Sequence, residues 1–384
     1  SSGDRKYFDS LWLKLIFQAL NRIIFRIIDQ IRLVRCDYLR TFRNFRIVSS
    51  KLCIDLMEQQ VKEGHTVAML WPGQMGVVNQ KVAIKNHENA KLNGQSILSF
   101  EVINPLPVSL DEGIADIAAF TKNVDAEAYR RLLDNFQPDV IHVHTLMGLH
   151  KNFIEVAKDK KIRLVFTAHD FFPICPKVTM FRQGAVCDCV QKCESCGVCN
   201  ATALSLNKIK ILQSPIYRKL KDSKVVKKIR KHHRDEYLTE STVNVAAVPV
   251  GIVDDYKKLR SYYYSLLNLM DMIHYNSSVT KKVYESVFDL PNSCIIGITH
   301  SDIKDNRKVK DYSNDYLRIR YLGPQSGAKG YPLLKLALDK LWKAQQRFCL
   351  DVHFVPMESA PYIKSHDRYS YAELERIFDE TDIL

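Results

Sequence analysis

Histidines alternate in the run Ile141-His142-Val143-His144-Thr145, and a second titratable pair, His169 and Asp170, closes the apolar run 163–168. In an extended strand, side chains at i and i+2 share a face, so His142 and His144 point the same way. Imidazoles at the carboxyl ends of adjacent strands can hold a hydroxyl or share a proton, here with Asp170 as partner. The alternative is a set of satisfied core histidines. The turn GPQSGAKG at 323–330 offers a different chemistry. Ser326, Gly327 and Gly330 place free backbone N–H groups at a helix start, and with the Lys329 ammonium they would hold a phosphate. The turn is not a Walker A loop, because Ala328 precedes Lys329 and Gly330 follows it.

Six of the ten cysteines, Cys175, Cys187, Cys189, Cys193, Cys196 and Cys199, crowd one short stretch. Four thiolates from Cys187, Cys189, Cys193, Cys196 and Cys199 would complete a tetrahedral structural zinc site. Free thiols in a loop are the alternative. A third reading is an iron-sulfur ligand set, from the Cys189-x-x-x-Cys193-x-x-Cys196 spacing, although that spacing usually follows the first strand of a barrel.

The elements that position these residues alternate. A helical stretch from residue 47 to Gly64 feeds the apolar run TVAMLWPG, residues 128–137 feed DVIHVHT, and residues 150–161 feed RLVFTAHD. Buried, β-branched strands that alternate with helices predict an α/β fold with doubly wound parallel sheets. Further strands are expected at 243–250, 294–299, 318–322 and 350–355, and helices at 262–275, 278–288, 331–347 and 371–380. In residues 11–34 polar positions recur every three or four residues, which predicts an amphipathic helix.

The composition, 46% hydrophobic and 26% charged, excludes a disordered chain. The net charge of +13 is local: residues 1–50 carry +6 and residues 208–234 carry +10. Such blocks face phosphate, either an anionic membrane or nucleic acid. A zinc-containing nucleic-acid-binding protein is therefore the alternative function, but stacking on bases needs exposed aromatics and 208–234 offers only Tyr217. Nucleic acid is accordingly not an expected partner. No uncharged apolar run is long enough to span a bilayer, and no secretory signal is visible, so a cytoplasmic location is expected.

The order PDVIHVHT, LVFTAHDFFPICPK, IRYLGPQSGAKGYPLL and YSYAELERIFDETDIL resembles glycosyltransferase family 4, of GT-B fold, over roughly residues 47–384. It looks most like bacterial members that build cell-surface polysaccharides. The resemblance implies retaining transfer of a hexose from a nucleotide diphosphate sugar, a UDP-sugar being favoured, in a cleft between two Rossmann-like domains. It implies no catalytic metal. It implies His169 at the donor sugar, with Asp170 and His144 shaping its surroundings, and Lys329 on the donor diphosphate. The expected acceptor is a glycan or a lipid-linked saccharide, with the enzyme peripheral at the anionic inner face of the plasma membrane.

The sequence also departs from the family. Pro324 stands where members commonly carry Arg, and no first strand with a glycine-glycine turn is visible ahead of IVSSKLCIDLMEQQ. The family's E-x-x-x-x-x-x-x-E segment would follow Leu384, so the second domain is expected to be incomplete and the chain to transfer little or no sugar. The expected division is a basic amphipathic segment 1–45, an acceptor domain 46–303 with a Cys-rich insertion (175–199) and a basic segment (208–234), and a partial nucleotide-sugar domain 304–384.

Overall fold

Ala68 to Trp71 are buried without interruption, as in a strand covered on both faces. The computed structural model describes Ile28–Asp29 and residues 48–76, 79–87, 90–92, 95–182, 185–187, 192–220, 223, 250–290, 292–299, 309, 315–325, 329–354 and 359–384. These fall into two units, the first within Ser1–Met180, Cys187–Arg234 and Val243–Thr299, the second within Phe181–Val186, Asp235–Thr242 and His300–Leu384.

The first unit opens with β1 (Ile28–Asp29), α1 (Val48–Lys62), β2 (Ala68–Pro72), β3 (Ala83–Asn86), β4 (Ala90–Leu92) and β5 (Gln95–Ile103). Strands β1, β2 and β5 are parallel, and β3 and β4 pair antiparallel with β5. The pairing of Ile28 with Ala68 corrects the expected helix over 11–34 at that point. A short apolar run with this pattern reads equally as a strand. The rest of 1–45 lies outside the described residues.

The same unit continues with α2 (Glu127–Phe136), β6 (Val140–Val143), α3 (Lys151–Asp159) and β7 (Arg163–Ala168). Beyond the short helices α4 (Cys196–Cys199), α5 (Leu206–Leu212) and α6 (Pro215–Leu220) come α7 (Val250–Leu267), β8 (Met272–Tyr275), α8 (Ser278–Glu285) and β9 (Ser293–Ile295). The second sheet is parallel throughout, in the order β9-β8-β7-β6. Two expectations fail here. Val250 opens a helix rather than ending a strand, the rest of the strand expected at 243–250 lying outside the described residues, and the helix expected at 262–275 stops at Leu267. Tyr256, Leu259, Tyr263, Leu266 and Leu267 are all buried, a spacing of three and four that fixes α7 as the core-facing helix. Asp271 then sets the register of β8: its carboxylate accepts from Leu164 N at 2.7 Å and from Lys158 Nζ at 2.7 Å. Ser277 caps α8 by accepting from Thr280 N.

The second unit stacks β10 (Leu317–Tyr321), α9 (Tyr331–Lys343), β11 (Phe348–Val352), β12 (Ile363–Ser365) and α10 (Leu374–Asp379). Its strands are parallel in the order β10-β11-β12, and Ile383 adds a parallel bridge to Ile319. The Arg318 guanidinium, 2.6 Å from Asp382, holds that last segment. Both units are thus mixed α/β with parallel sheets, the class that the alternation predicts.

Candidate active site

A face of a covered parallel sheet is normally apolar, yet one face of β6-β7-β8 is not. The register places His142 opposite Val165 and His274 opposite Thr167. Side-chain alternation then puts His142, His144, Thr167, His169 and His274 on that face, while Ile141, Val143, Phe166, Ala168, Ile273 and Tyr275 point to the other. His144 and Thr167 are buried and His169 is half-buried at the strand end.

The hydrogen bonds fix where the protons sit. His274 Nε2 lies 2.8 Å from the Ile296 carbonyl, which only accepts, so this nitrogen carries a hydrogen. Its Nδ1 then accepts from Thr167 Oγ1 at 2.9 Å, and Thr167 in turn accepts from His142 Nε2 at 2.7 Å. Beside this chain, His144 Nδ1 and His169 Nε2 share a proton across 2.9 Å, their rings stacked. Burial disfavours the charged form of His144, His169 and His274. It lowers His144 to about 3, with His274 adding, and lowers His169 to about 2, with His144 and His274 adding. His274 is lowered by the same cause.

Asp170 serves the turn and α8 instead. Its carboxylate accepts from Phe172 N at 2.9 Å and so closes the turn that ends β7, while its carbonyl accepts from Tyr284 Oη at 2.7 Å. Burial raises the carboxyl to about 6. His150 shows what an ordinary core histidine looks like in this fold, with Nδ1 2.7 Å from Tyr129 Oη and burial lowering it to about 4.

In the second unit, Tyr321 Oη stands 3.0 Å from the carbonyls of both Pro324 and Lys329, and so clasps the glycine-rich turn at its two ends. Gly323 is required there, because an added Cβ would come within 2.7 Å of the Tyr321 ring. Gly330 has φ 78° at the cap of α9, a left-handed conformation that favours glycine. Lys329 is exposed beside it. Ser326 and Gly327 lie outside the described residues.

Among the described residues, Cys187, Cys193, Cys196 and Cys199 bring no three ligand atoms together, and Cys189 lies outside them. The Arg260 guanidinium on α7 donates to the sulfurs of both Cys193 and Cys196. The hydrogen bond from Cys196, with the Arg260 charge, lowers the Cys193 thiol. Asn200 ties this loop into the unit, accepting from Ile114 N at 2.9 Å and donating to Cys196 O at 2.8 Å.

Three groups were not singled out by the sequence. His274 repeats the alternation of IHVHT within the short run MIHY, a signal that was present. Cys53 on α1 lies with His144 and His169, with no sequence cue. Glu101 on β5 is fully buried, with His87 Nε2 at 2.7 Å, Arg218 at 3.1 Å and Gln74 N at 3.2 Å around its carboxylate. Arg218 also lies over the Trp71 ring, so this member of the basic segment faces inward. Gly73 is needed beside it, since a Cβ there would meet the Glu101 side chain at 2.1 Å.

A polar strand-end cluster on a parallel sheet is the kind of site that α/β enzymes use. Residues 50–186 match the model of Glycosyltransferase Family 4. This stretch, which carries Cys53, Glu101, His142, His144, Thr167, His169 and Asp170, is similar to family 4 glycosyltransferases. Among solved structures, sucrose-phosphate synthase from Thermosynechococcus elongatus is similar at 9% identity and a TM-score of 0.40, over 93% of this chain and 74% of that one. The trehalose-6-phosphate structure from E. coli, bound with UDP-2-fluoro glucose, gives 10%, 0.38, 92% and 68%. The catalytic domain of starch synthase IV from Arabidopsis thaliana, bound to ADP and acarbose, gives 13%, 0.31, 93% and 77%. Scores this low carry no argument about the present chain. No curated protein matches it.

Proposed function

We propose that the chain moves a hexose, with retention, from a nucleotide diphosphate sugar, preferably a UDP-sugar, to a cell-surface glycan or a lipid-linked acceptor. The observation that carries this reading is the imidazole face of β6-β7-β8, most of it inside the stretch that matches the family 4 model, with His144, His169 and His274 held toward the neutral form by burial. Neutral imidazoles both donate to and accept from hydroxyls, and they bring no charge that would compete for the diphosphate. His169, half-buried at the strand end, takes the sugar contact. His144 is a positioning residue, because the proton they share sets which His169 nitrogen can donate. Lys329, on the clasped turn, takes the diphosphate, whose negative charge grows as the sugar departs. Retention and the choice of a hexose rest on the family resemblance.

Thermal stabilisation by nucleotide diphosphate sugars tests this reading. Lys329→Ala is expected to weaken donor binding by about 1.5–3 kcal/mol, the worth of a charge-assisted hydrogen bond, and to leave acceptor binding unchanged. Unchanged donor affinity would remove Lys329 from the site.

The reading includes a peripheral place at the anionic inner face of the plasma membrane. Among the described residues no helix is long and apolar enough to cross a membrane. Support comes from α5 and α6, where Ile211, Leu212, Ile216 and Leu220 are exposed among Lys208, Lys210 and Lys219. Apolar side chains with basic neighbours suit a headgroup boundary, and each basic residue near an anionic leaflet contributes about 1 kcal/mol. Co-sedimentation with vesicles should rise with anionic lipid, fall with salt, and drop in a Lys208→Glu, Lys210→Glu, Lys219→Glu variant. Equal binding to neutral and anionic vesicles would overturn this placement.

A further inference from the structure

Cys53 from α1, His144 from the end of β6 and His169 from the end of β7 each offer one ligand atom, and the three atoms lie within 4.8 Å of one another. Cys53 and His144 are buried, and His169 is half-buried. We infer that these three side chains form a zinc site that is separate from the cysteine loop and that withdraws His169 from sugar binding when filled. One thiolate and two imidazoles are a donor set that favours zinc over the hard, oxygen-seeking cations.

The geometry is close to what zinc requires. Two imidazole nitrogens on one tetrahedral zinc stand about 3.3 Å apart, given Zn–N distances of about 2.0–2.1 Å. His144 Nδ1 and His169 Nε2 are already 2.9 Å apart, joined by a shared proton. An ion that enters between them needs only a small opening, with rotation of the Cys53 side chain to bring its sulfur in. The donors come from three separate elements, two of them adjacent parallel strands, so the backbone holds the imidazole pair in place.

The proton balance is simple. The Cys53 thiol loses one proton to solvent as the Zn–S bond forms. The proton shared by the imidazoles moves to the outer nitrogen of the ring that carried it, so each ring stays neutral and binds through its inner lone pair. The net release is one proton per zinc, and a water completes the fourth position on the His169 side.

Cobalt reports on such a site directly. Added to the full chain after chelator treatment, under reducing conditions, Co²⁺ should bind with a stoichiometry of one. It should give the visible bands of a tetrahedral centre with a near-ultraviolet sulfur charge-transfer band, and zinc should displace it. Cys53→Ser should abolish the sulfur band and weaken binding by at least about tenfold, since even outer-shell changes cost that much. Cys193→Ser combined with Cys196→Ser should leave the signal unchanged. X-ray absorption on the zinc-loaded parent should find one sulfur and two imidazoles, which tests the site without any variant. A folded chain that gives no tetrahedral spectrum, or a spectrum that follows Cys193 and Cys196, would overturn the site. The inhibitory consequence rests on the sugar role of His169. Were zinc to bind as described without weakening donor-sugar binding, the site would stand and that role would fall.

Discussion

His169→Ala is expected to slow sugar transfer by about 10²–10³-fold, the usual cost of removing one preorganised donor from a reacting group. Binding of the bare nucleoside diphosphate should not change, because the imidazole is assigned to the sugar. The reason for so large an effect is that the ring is already in place before substrate arrives. Its partner nitrogen is held 2.9 Å away on His144, and burial lowers its pKa well below the usual histidine range. A glutamine at 169 offers a donor of similar reach and should recover part of the rate, whereas loss of fold would lower nucleotide binding as well. An unchanged rate in His169→Ala would remove His169 from the site.

Glu101→Ala is expected to destabilise the first unit by about 3–5 kcal/mol, the cost of leaving a buried partner charge uncompensated. The carboxylate is inaccessible, and it meets Arg218, His87 and the backbone of Gln74 at once. Its removal therefore strands three donors. Adding Arg218→Met should return part of the loss, because a methionine lying on Trp71 keeps the packing and removes the orphan charge. Urea unfolding of the parent, the two single variants and the double variant measures the coupling. A loss under about 1 kcal/mol, the range of an exposed pair, would show that the site is open to water.

Strands β2, β6 and β7 were legible in the sequence because each is a continuous apolar run that ends in a turn signal. The His144–His169 pairing followed from two strand ends in neighbouring units of the alternation. What remained hidden depends on contacts distant in sequence. Arg260 reaches Cys193 from 67 residues away, a partner that nothing in the cysteine spacing announces. Arg218 reads as one more member of a basic block, and only the fold shows it turned onto Glu101 and Trp71. Strand β8 was missed because its four residues follow a long helix and their apolar pattern continues that helix's own. The register of β8 is set by Asp271, whose partners Lys158 and Leu164 belong to other elements.

The hydrogen-bonded series His142, Thr167, His274 and Ile296 has a direction. Each proton points the same way along it, and the last acceptor is a peptide carbonyl, which cannot take up a proton at ordinary pH. A proton pushed in at His142 would come to rest on His274 as a buried cation. The series is therefore a poor conductor and a good template: an array of fixed dipoles whose orientation survives changes in the surrounding medium. A sugar held on this face would meet a fixed pattern of donors and acceptors, and a hydroxyl proton released there would have to leave by another route.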